Sequence, residues 1–139
     1  MTPEQIELVQ RAWGRVTALN NTYVQEVYTE LFRLSPDLIN LFPDPAGMPV
    51  TKVSETLNTV ITSLEQLDAL GFIIRDLGRR HRQFSVQSHQ FGLLKQALTL
   101  VLARRLGEHF TPALSDAWSQ MYDEIATLML EGLSQPTES

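Results

Sequence analysis

Apolar residues recur three and four positions apart along nearly the whole chain, and no stretch alternates with the period of two that a strand requires. Ile6, Val9, Trp13 and Val16 fall on one face of a first helix, and Val24, Val27, Tyr28, Leu31 and Phe32 on one face of the next. Val53, Leu57, Val60, Ile61 and Leu64 stripe a long helix further on. Phe91, Leu94, Leu98, Val101 and Leu102 line another, and Leu114, Trp118, Met121, Ile125, Leu128 and Met129 the last. Such stripes must cover one another, so the expected fold is all-α, built from packed amphipathic helices.

The punctuation between the stripes sets their limits. Thr2-Pro3-Glu4-Gln5 reads as a helix start, with Thr2 as cap, Pro3 in the first turn and Gln5 reaching back. Asn20-Asn21 breaks that helix. Ser35-Pro36 opens a short helix running to about Leu41, and Pro43, Pro45, Gly47 and Pro49 make 43–49 an irregular loop. Gly71 is expected to separate the long helix from a shorter one bearing Phe72, Ile73 and Leu77 and ending near His81. A mostly polar connection is expected over residues 84–90. The fifth stripe stops near Gly107, and Thr111-Pro112 starts the last helix. The expectation is six substantial helices plus short ones in a single domain, residues 1–139, with frayed ends at 1–2 and about 134–139.

Composition then narrows the function classes. At 139 residues the chain can bury a sizeable core, and 43% hydrophobic with 19% charged residues marks an ordinary globular protein. A net charge of −5 leaves no basic footprint for nucleic acid. With no cysteine there is no disulfide, thiolate metal site or cysteine nucleophile, which fits a reducing compartment. Pro3, Glu4 and Glu7 interrupt any leader pattern, and no apolar run is long enough to span a bilayer. The expectation is a cytoplasmic protein without a membrane partner. No phosphate loop, Gly-rich dinucleotide fingerprint or zinc-spaced ligand set is present. Glu124 with Glu131, and Asp116 with Asp123, read as solvated helix faces.

The chemistry-bearing candidates are therefore few. Only His81, His89 and His109 are histidines. His81 lies four residues beyond Leu77, on the same helical face, among Arg79, Arg80 and Arg82. Cations near a helix C-terminus also favour the helix itself, so the arginines carry a purely structural reading as well. His89, in the polar connection, and His109, in the turn Glu108-His109-Phe110, read most simply as surface residues.

Four segments share a resemblance. They are Pro3-Glu4-Gln5-Ile6 with Trp13, the corner Leu31-Phe32 through Pro36-Asp37-Leu38 to Leu41-Phe42, Leu77-Gly78-Arg79-Arg80-His81, and Ala117-Trp118-Ser119-Gln120-Met121-Tyr122. In order and spacing they resemble the globin family, in particular neuroglobins and single-domain bacterial globins akin to flavohaemoglobin haem domains. The resemblance covers residues 3 to about 130 and implies a globin fold around haem b (iron protoporphyrin IX). It implies His81 as the proximal iron ligand, Phe42 as the wedge on the haem, and Lys52 and Arg80 as cations for the propionates. Val53 and Leu57 would form the apolar distal wall, with Leu77, Val86, Phe91, Leu94, Leu98, Ile125 and Met129 lining the rest of the slot. Each lining residue also reads as plain core. Tyr28 falls where related bacterial globins carry a distal tyrosine, whose hydroxyl can donate to dioxygen held at the iron. The alternative reading is a core tyrosine satisfied by a backbone carbonyl.

The chain departs from the family in two places. At family spacing the usual distal histidine or glutamine is Pro49, which offers neither donor nor ligand but suits the first turn of a helix. An altered register would bring Met48 or Val50 there instead. No histidine precedes His81, which excludes bis-histidine ligation through that helix unless His89 or His109 moves in. On the proximal side, flavohaemoglobin-type domains support the histidine with a tyrosine and a glutamate. Here those positions are Phe91 and Leu133, with Glu131 out of register. That implies a less imidazolate-like His81 and leans away from peroxidase-like chemistry.

The leading expectation is a haem globin that reversibly binds dioxygen, carbon monoxide and nitric oxide. An enzymatic role would be that of a nitric oxide dioxygenase served by a separate reductase, since this length holds no flavin and nicotinamide module. The resemblance is also compatible with a gas or redox sensor globin. A haem-free interaction domain is disfavoured by the presence of His81. A monomer or weak dimer is expected.

Overall fold

Thr2 accepts a hydrogen bond from the Gln5 backbone N–H at 3.1 Å, and the Gln5 side chain accepts one from the Thr2 N–H at 2.9 Å. This reciprocal cap starts helix α1, Pro3–Thr17, in a computed structural model that describes residues 1–18, 22–41, 50–81 and 87–134. Five further α-helices follow among the described residues: α2 (Tyr23–Leu34), α3 (Val50–Thr62), α4 (Leu67–Arg80), α5 (Ser88–Leu106) and α6 (Pro112–Leu133). Short 3₁₀ turns lie at Pro36–Leu41, Leu64–Gln66 and Gly107–His109. Thr111 caps α6 by accepting from the Leu114 N–H at 3.2 Å, with Pro112 in the first turn. The six helices, the Pro36 corner and both caps are as the sequence predicts.

Two boundaries and one helix face differ. The break after α3 falls at Ser63, not Gly71: α3 ends at Thr62, and Leu64 turns inward from a 3₁₀ turn. Gly71 is buried inside α4, where a β-carbon would meet the Arg75 guanidinium of the same helix at 3.2 Å and Leu128 of α6 only in ordinary contact at 3.9 Å. Second, α5 begins at Ser88, so His89 stands in its first turn rather than in a connection. The Gln90 side chain accepts from the Gln87 N–H there at 2.8 Å, with no Ser, Thr or Asp of the kind that usually marks a helix start. Third, only Leu77 of the expected apolar trio in α4 turns inward; Phe72 is 80% and Ile73 60% exposed.

One continuous core joins α1, α2, α3, α5 and α6, whereas α4, with its buried Ile74, lies outside that cluster and packs mainly on α6. Val9, Trp13 and Val16 from α1, Val24, Val27 and Leu31 from α2, Leu98, Val101 and Leu102 from α5, and Leu114, Trp118 and Met121 from α6 are all buried in it. Trp13 stacks on Trp118 at 6.1 Å and meets Tyr23 edge-on at 5.2 Å. Polar side chains then fix how α3 lies across this core. Trp13 Nε1 donates to Asn58 at 3.2 Å, Gln10 Nε2 donates to the Ile61 carbonyl at 3.0 Å, and the Tyr23 hydroxyl donates to Ser54 at 3.1 Å. A sliding α3 would strand these donors, so its register over α1 and α2 is well determined.

α2 is tied to α5 by charge. Glu30, 8% exposed, bridges Arg33 of its own helix at 2.8 Å and Arg104 of α5 at 3.0 Å. Arg105 donates to Glu26 at 2.7 Å and Thr22 at 3.0 Å. A buried carboxylate is tolerated only when so paired.

Candidate functional site

α4 delivers the principal candidate. Leu67, Leu70, Gly71, Ile74, Leu77 and Gly78 share one face, and His81, seven residues after Ile74, continues it by two turns. His81 is the half-buried C-cap of the helix. Its Nδ1 lies 2.7 Å from the Leu77 carbonyl oxygen. A carbonyl can only accept, so Nδ1 carries the proton and donates. In the neutral imidazole the lone pair is therefore on Nε2, and the ring is held by a bond to its own helix. That is the arrangement in which a histidine serves as a metal ligand through Nε2.

How deeply α4 sits is decided by two glycines. A β-carbon on Gly78 would overlap the backbone of Met129 in α6, and one on Gly132 of α6 would overlap the backbone of Arg75 in α4. The two helices thus meet backbone to backbone, with an Arg75–Glu131 ion pair at 2.6 Å beside the crossing. In the sequence Gly78 stands only as part of a motif, with no role of its own, and Gly132 does not stand out at all. A glycine inside a strong helical pattern is the signal that could have found both, since it weakens the helix unless a close approach needs it.

The distal candidates come from α2 and α3. Tyr28 is half-buried and stacks on Phe32 with ring centroids 6.0 Å apart. Burial pushes its hydroxyl pKa up, so it stays a protonated donor. Val53 and Leu57 are half-buried and pack, like Tyr28, against the common core. Lys52 is exposed in the first turn of α3.

Of the expected lining residues, Leu94 and Ile125 are half-buried against the core, while Leu98 and Phe91 are buried at 5% and 8% exposure. Leu77 and Met129 are half-buried where α4 meets α6. Arg80 is exposed and pairs with Asp76 at 2.8 Å, and Arg79 pairs with the same carboxylate. Arg79 foremost, by hydrogen bonding, holds Asp76 below the usual carboxylate range. Phe42, Val86, Met48, Pro49 and Arg82 lie outside the described residues. Val50 is the first described residue of α3, and the expected helix start near Pro49 lies outside the described residues.

Phe91 has a role the sequence hid. Its side chain offers no hydroxyl, but its backbone carbonyl accepts from the Tyr122 hydroxyl at 2.6 Å. Burial raises the Tyr122 pKa strongly, with the charge of Asp123 adding to it, so the phenol remains a donor at any working pH. Tyr122 thereby pins the first turn of α5 to α6. His89 and His109 are both exposed.

The residue types suit a flat metal-centred cofactor: one basic imidazole nitrogen held in orientation on α4, apolar side chains on α3, a protonated phenol on α2 and the exposed cations Lys52 and Arg80. Among the described residues no three His, Asp or Glu side chains gather to hold a bare metal ion. A single axial ligand needs no such cluster. No described helix is long and apolar enough to cross a membrane.

Comparison with known proteins identifies the family and the fold. The chain is 27% identical to a neuroglobin of Tetraodon nigroviridis, over 95% of this chain and 92% of that protein. It is 29% identical to a neuroglobin of Danio rerio, over 94% and 91%. It is 27% identical to a flavohemoprotein of Deinococcus radiodurans, over 94% of this chain but only 33% of that longer protein. Its fold matches a hexacoordinated heme protein from an anhydrobiotic tardigrade with a TM-score of 0.82 at 17% identity, over 97% of this chain and 96% of the other. The globin family profile spans residues 25–129, from α2 to near the end of α6, and the chain belongs to the globin family.

Proposed function

We propose that this chain is a haem-binding globin that holds a diatomic gas, dioxygen foremost, reversibly opposite His81. The observation that carries the reading is the 2.7 Å contact from His81 Nδ1 to the Leu77 carbonyl, which puts the basic lone pair on Nε2 at the end of α4. Haem b, when bound, supplies the iron at which the gas is held. The chain's own residues do the rest. α4, seated on α6 through Gly78 and Gly132, sets how far His81 reaches. Val53 and Leu57 keep the opposite side apolar. Tyr28 presents a protonated hydroxyl that favours a ligand with partial negative charge. Carbon monoxide and nitric oxide are bound by the same site.

The test is an absorption spectrum of the purified protein, ferric and ferrous, with and without carbon monoxide. Haem bands that shift with carbon monoxide are the expected result. A colourless protein that takes up no added haem overturns the reading in favour of a haem-free interaction domain.

The family also supports a second reading, since the flavohemoprotein similarity raises nitric oxide dioxygenase activity dependent on a separate reductase. Two features weigh for reversible binding. Phe91 has no side-chain hydroxyl to support His81, and the Glu131 carboxylate is drawn to Arg75. Nitric oxide consumption with and without an added reductase separates the readings. The tardigrade protein is hexacoordinated, whereas here no histidine precedes His81, so five-coordinate or weakly six-coordinate ferrous iron is expected.

A further inference from the structure

The inner face of α4 is covered by α6, yet its outer face carries the two most exposed large apolar side chains among the described residues. Phe72 is 80% and Ile73 60% exposed, side by side in the middle of the helix; the others of this kind, Leu8, Ile39 and Leu100, reach only 37–40% and are scattered over other elements. Ala69, also exposed, lies one turn before Phe72 and Ile73, and a small side chain there leaves room for a neighbour's ring. The charges around this pair are divided by position. Glu65 and Asp68 are exposed at the N-terminal end, and Arg79 and Arg80 at the C-terminal end. A charge gradient of that sense favours any isolated helix, so it does not by itself require a partner. The apolar pair at its centre has no such explanation.

We propose that the outer face of α4 binds a second copy of this chain, the two α4 helices crossing antiparallel about a two-fold axis near Phe72 and Ile73. In that arrangement the apolar pairs cover one another, and Asp68 and Glu65 of one copy run beside Arg79 and Arg80 of the other. The contact is isologous, as closed dimers require. Charge complementarity selects this occupant. A uniformly acidic partner would be repelled at one end of the face and a uniformly basic one at the other, whereas an inverted copy of the same face is matched at both. Asp76, paired with both Arg79 and Arg80, lies on the same side of the helix and offsets one of the two positive charges, leaving that end net basic. A helix of 14 residues is only about 21 Å long, so the contact is at the small end of specific interfaces and the dimer exchanges freely.

The test is sedimentation velocity of the full chain over a concentration series, followed by protein absorbance, so its outcome does not depend on haem. The wild type is expected to show a monomer–dimer equilibrium. Phe72→Asp should abolish it while helix content by circular dichroism stays unchanged. Asp68→Arg and Arg79→Glu each place like charges together twice per dimer and should each weaken association by about tenfold. An equimolar mixture of these two variants restores attraction at both ends, and its association should return toward that of the wild type. A wild type that remains monomeric throughout, or a dimer indifferent to Phe72→Asp, overturns the proposal. Failure of the mixture to recover rejects the antiparallel arrangement.

Discussion

Gly78 of α4 lies against the Met129 backbone of α6 with no space for a β-carbon between them. Gly132 and Arg75 repeat the relationship one turn along, so the helix bearing His81 is seated by two main-chain contacts. Gly78→Ala or Gly132→Ala should therefore cost about 3 kcal/mol, because the obstacle is backbone and cannot swing aside. Gly14→Ala is the control. Gly14 is exposed in α1 with nothing near its missing side chain, and alanine there should stabilise by about 0.5–1 kcal/mol. Urea unfolding of the three variants checks the contrast.

His81→Ala should greatly reduce haem retention, whereas His89→Ala and His109→Ala should leave the spectrum unchanged. The last two are exposed, while His81 is held by a carbonyl of its own helix. Loss of the proximal signal in His89→Ala with His81→Ala unaffected would show that the chain binds its iron from the first turn of α5 instead.

Tyr28→Phe should speed dioxygen dissociation by roughly tenfold to a hundredfold, since a hydrogen bond to a partly charged acceptor is worth about 1.5–3 kcal/mol. Carbon monoxide carries less charge, and its release should change far less. Stopped-flow rates for both gases provide the comparison. Equal, small effects would make Tyr28 a packing residue only.

Glu30 supplies a pH dependence. Hydrogen bonds from Arg104 and then Arg33 hold its carboxyl below the usual 4.5. A carboxylate whose pKa is depressed on folding contributes stability above its unfolded pKa and loses it as the pH falls through the folded one. Glu30→Gln should therefore be less stable than the wild type near neutral pH, with the difference narrowing below about pH 4.5. Asp76, held below its usual 3.8 foremost by its hydrogen bond from Arg79, adds a second acid-sensitive contribution present in both proteins. Urea midpoints across the acid range test the narrowing.

Tyr122→Phe should cost about 1–3 kcal/mol, because it leaves the Phe91 carbonyl without its 2.6 Å donor. Thermal unfolding measures the loss. A faster exchange of the backbone amides in the first turn of α5 distinguishes this cause from a general loosening.

The all-α class, the caps at Thr2 and Thr111, the corner at Ser35-Pro36 and the candidacy of His81 are legible because each rests on residues close in sequence. Periodicity places Ile74, Leu77 and His81 on one face whatever they pack against, and a capping side chain reaches only three residues. Gly71 misleads for the same reason: read locally, a glycine is a helix breaker, but it lies on the buried face of α4, and the packing of that helix on α6 carries it. Phe72 and Ile73 are apolar, yet the face they occupy lies opposite the one that α6 covers. Glu30 looks like one more helix carboxylate until Arg104 comes across from α5. The sequence alone determined which helices form, where they are capped and which histidine ends the apolar face of α4. Tertiary structure alone decided which face each helix turns to its neighbour, that α4 and α6 touch through glycine, and that Tyr122 and Glu30 hold partners on another helix. Those contacts depend on how separate helices cross in space, and nothing in the spacing along a single helix encodes that crossing.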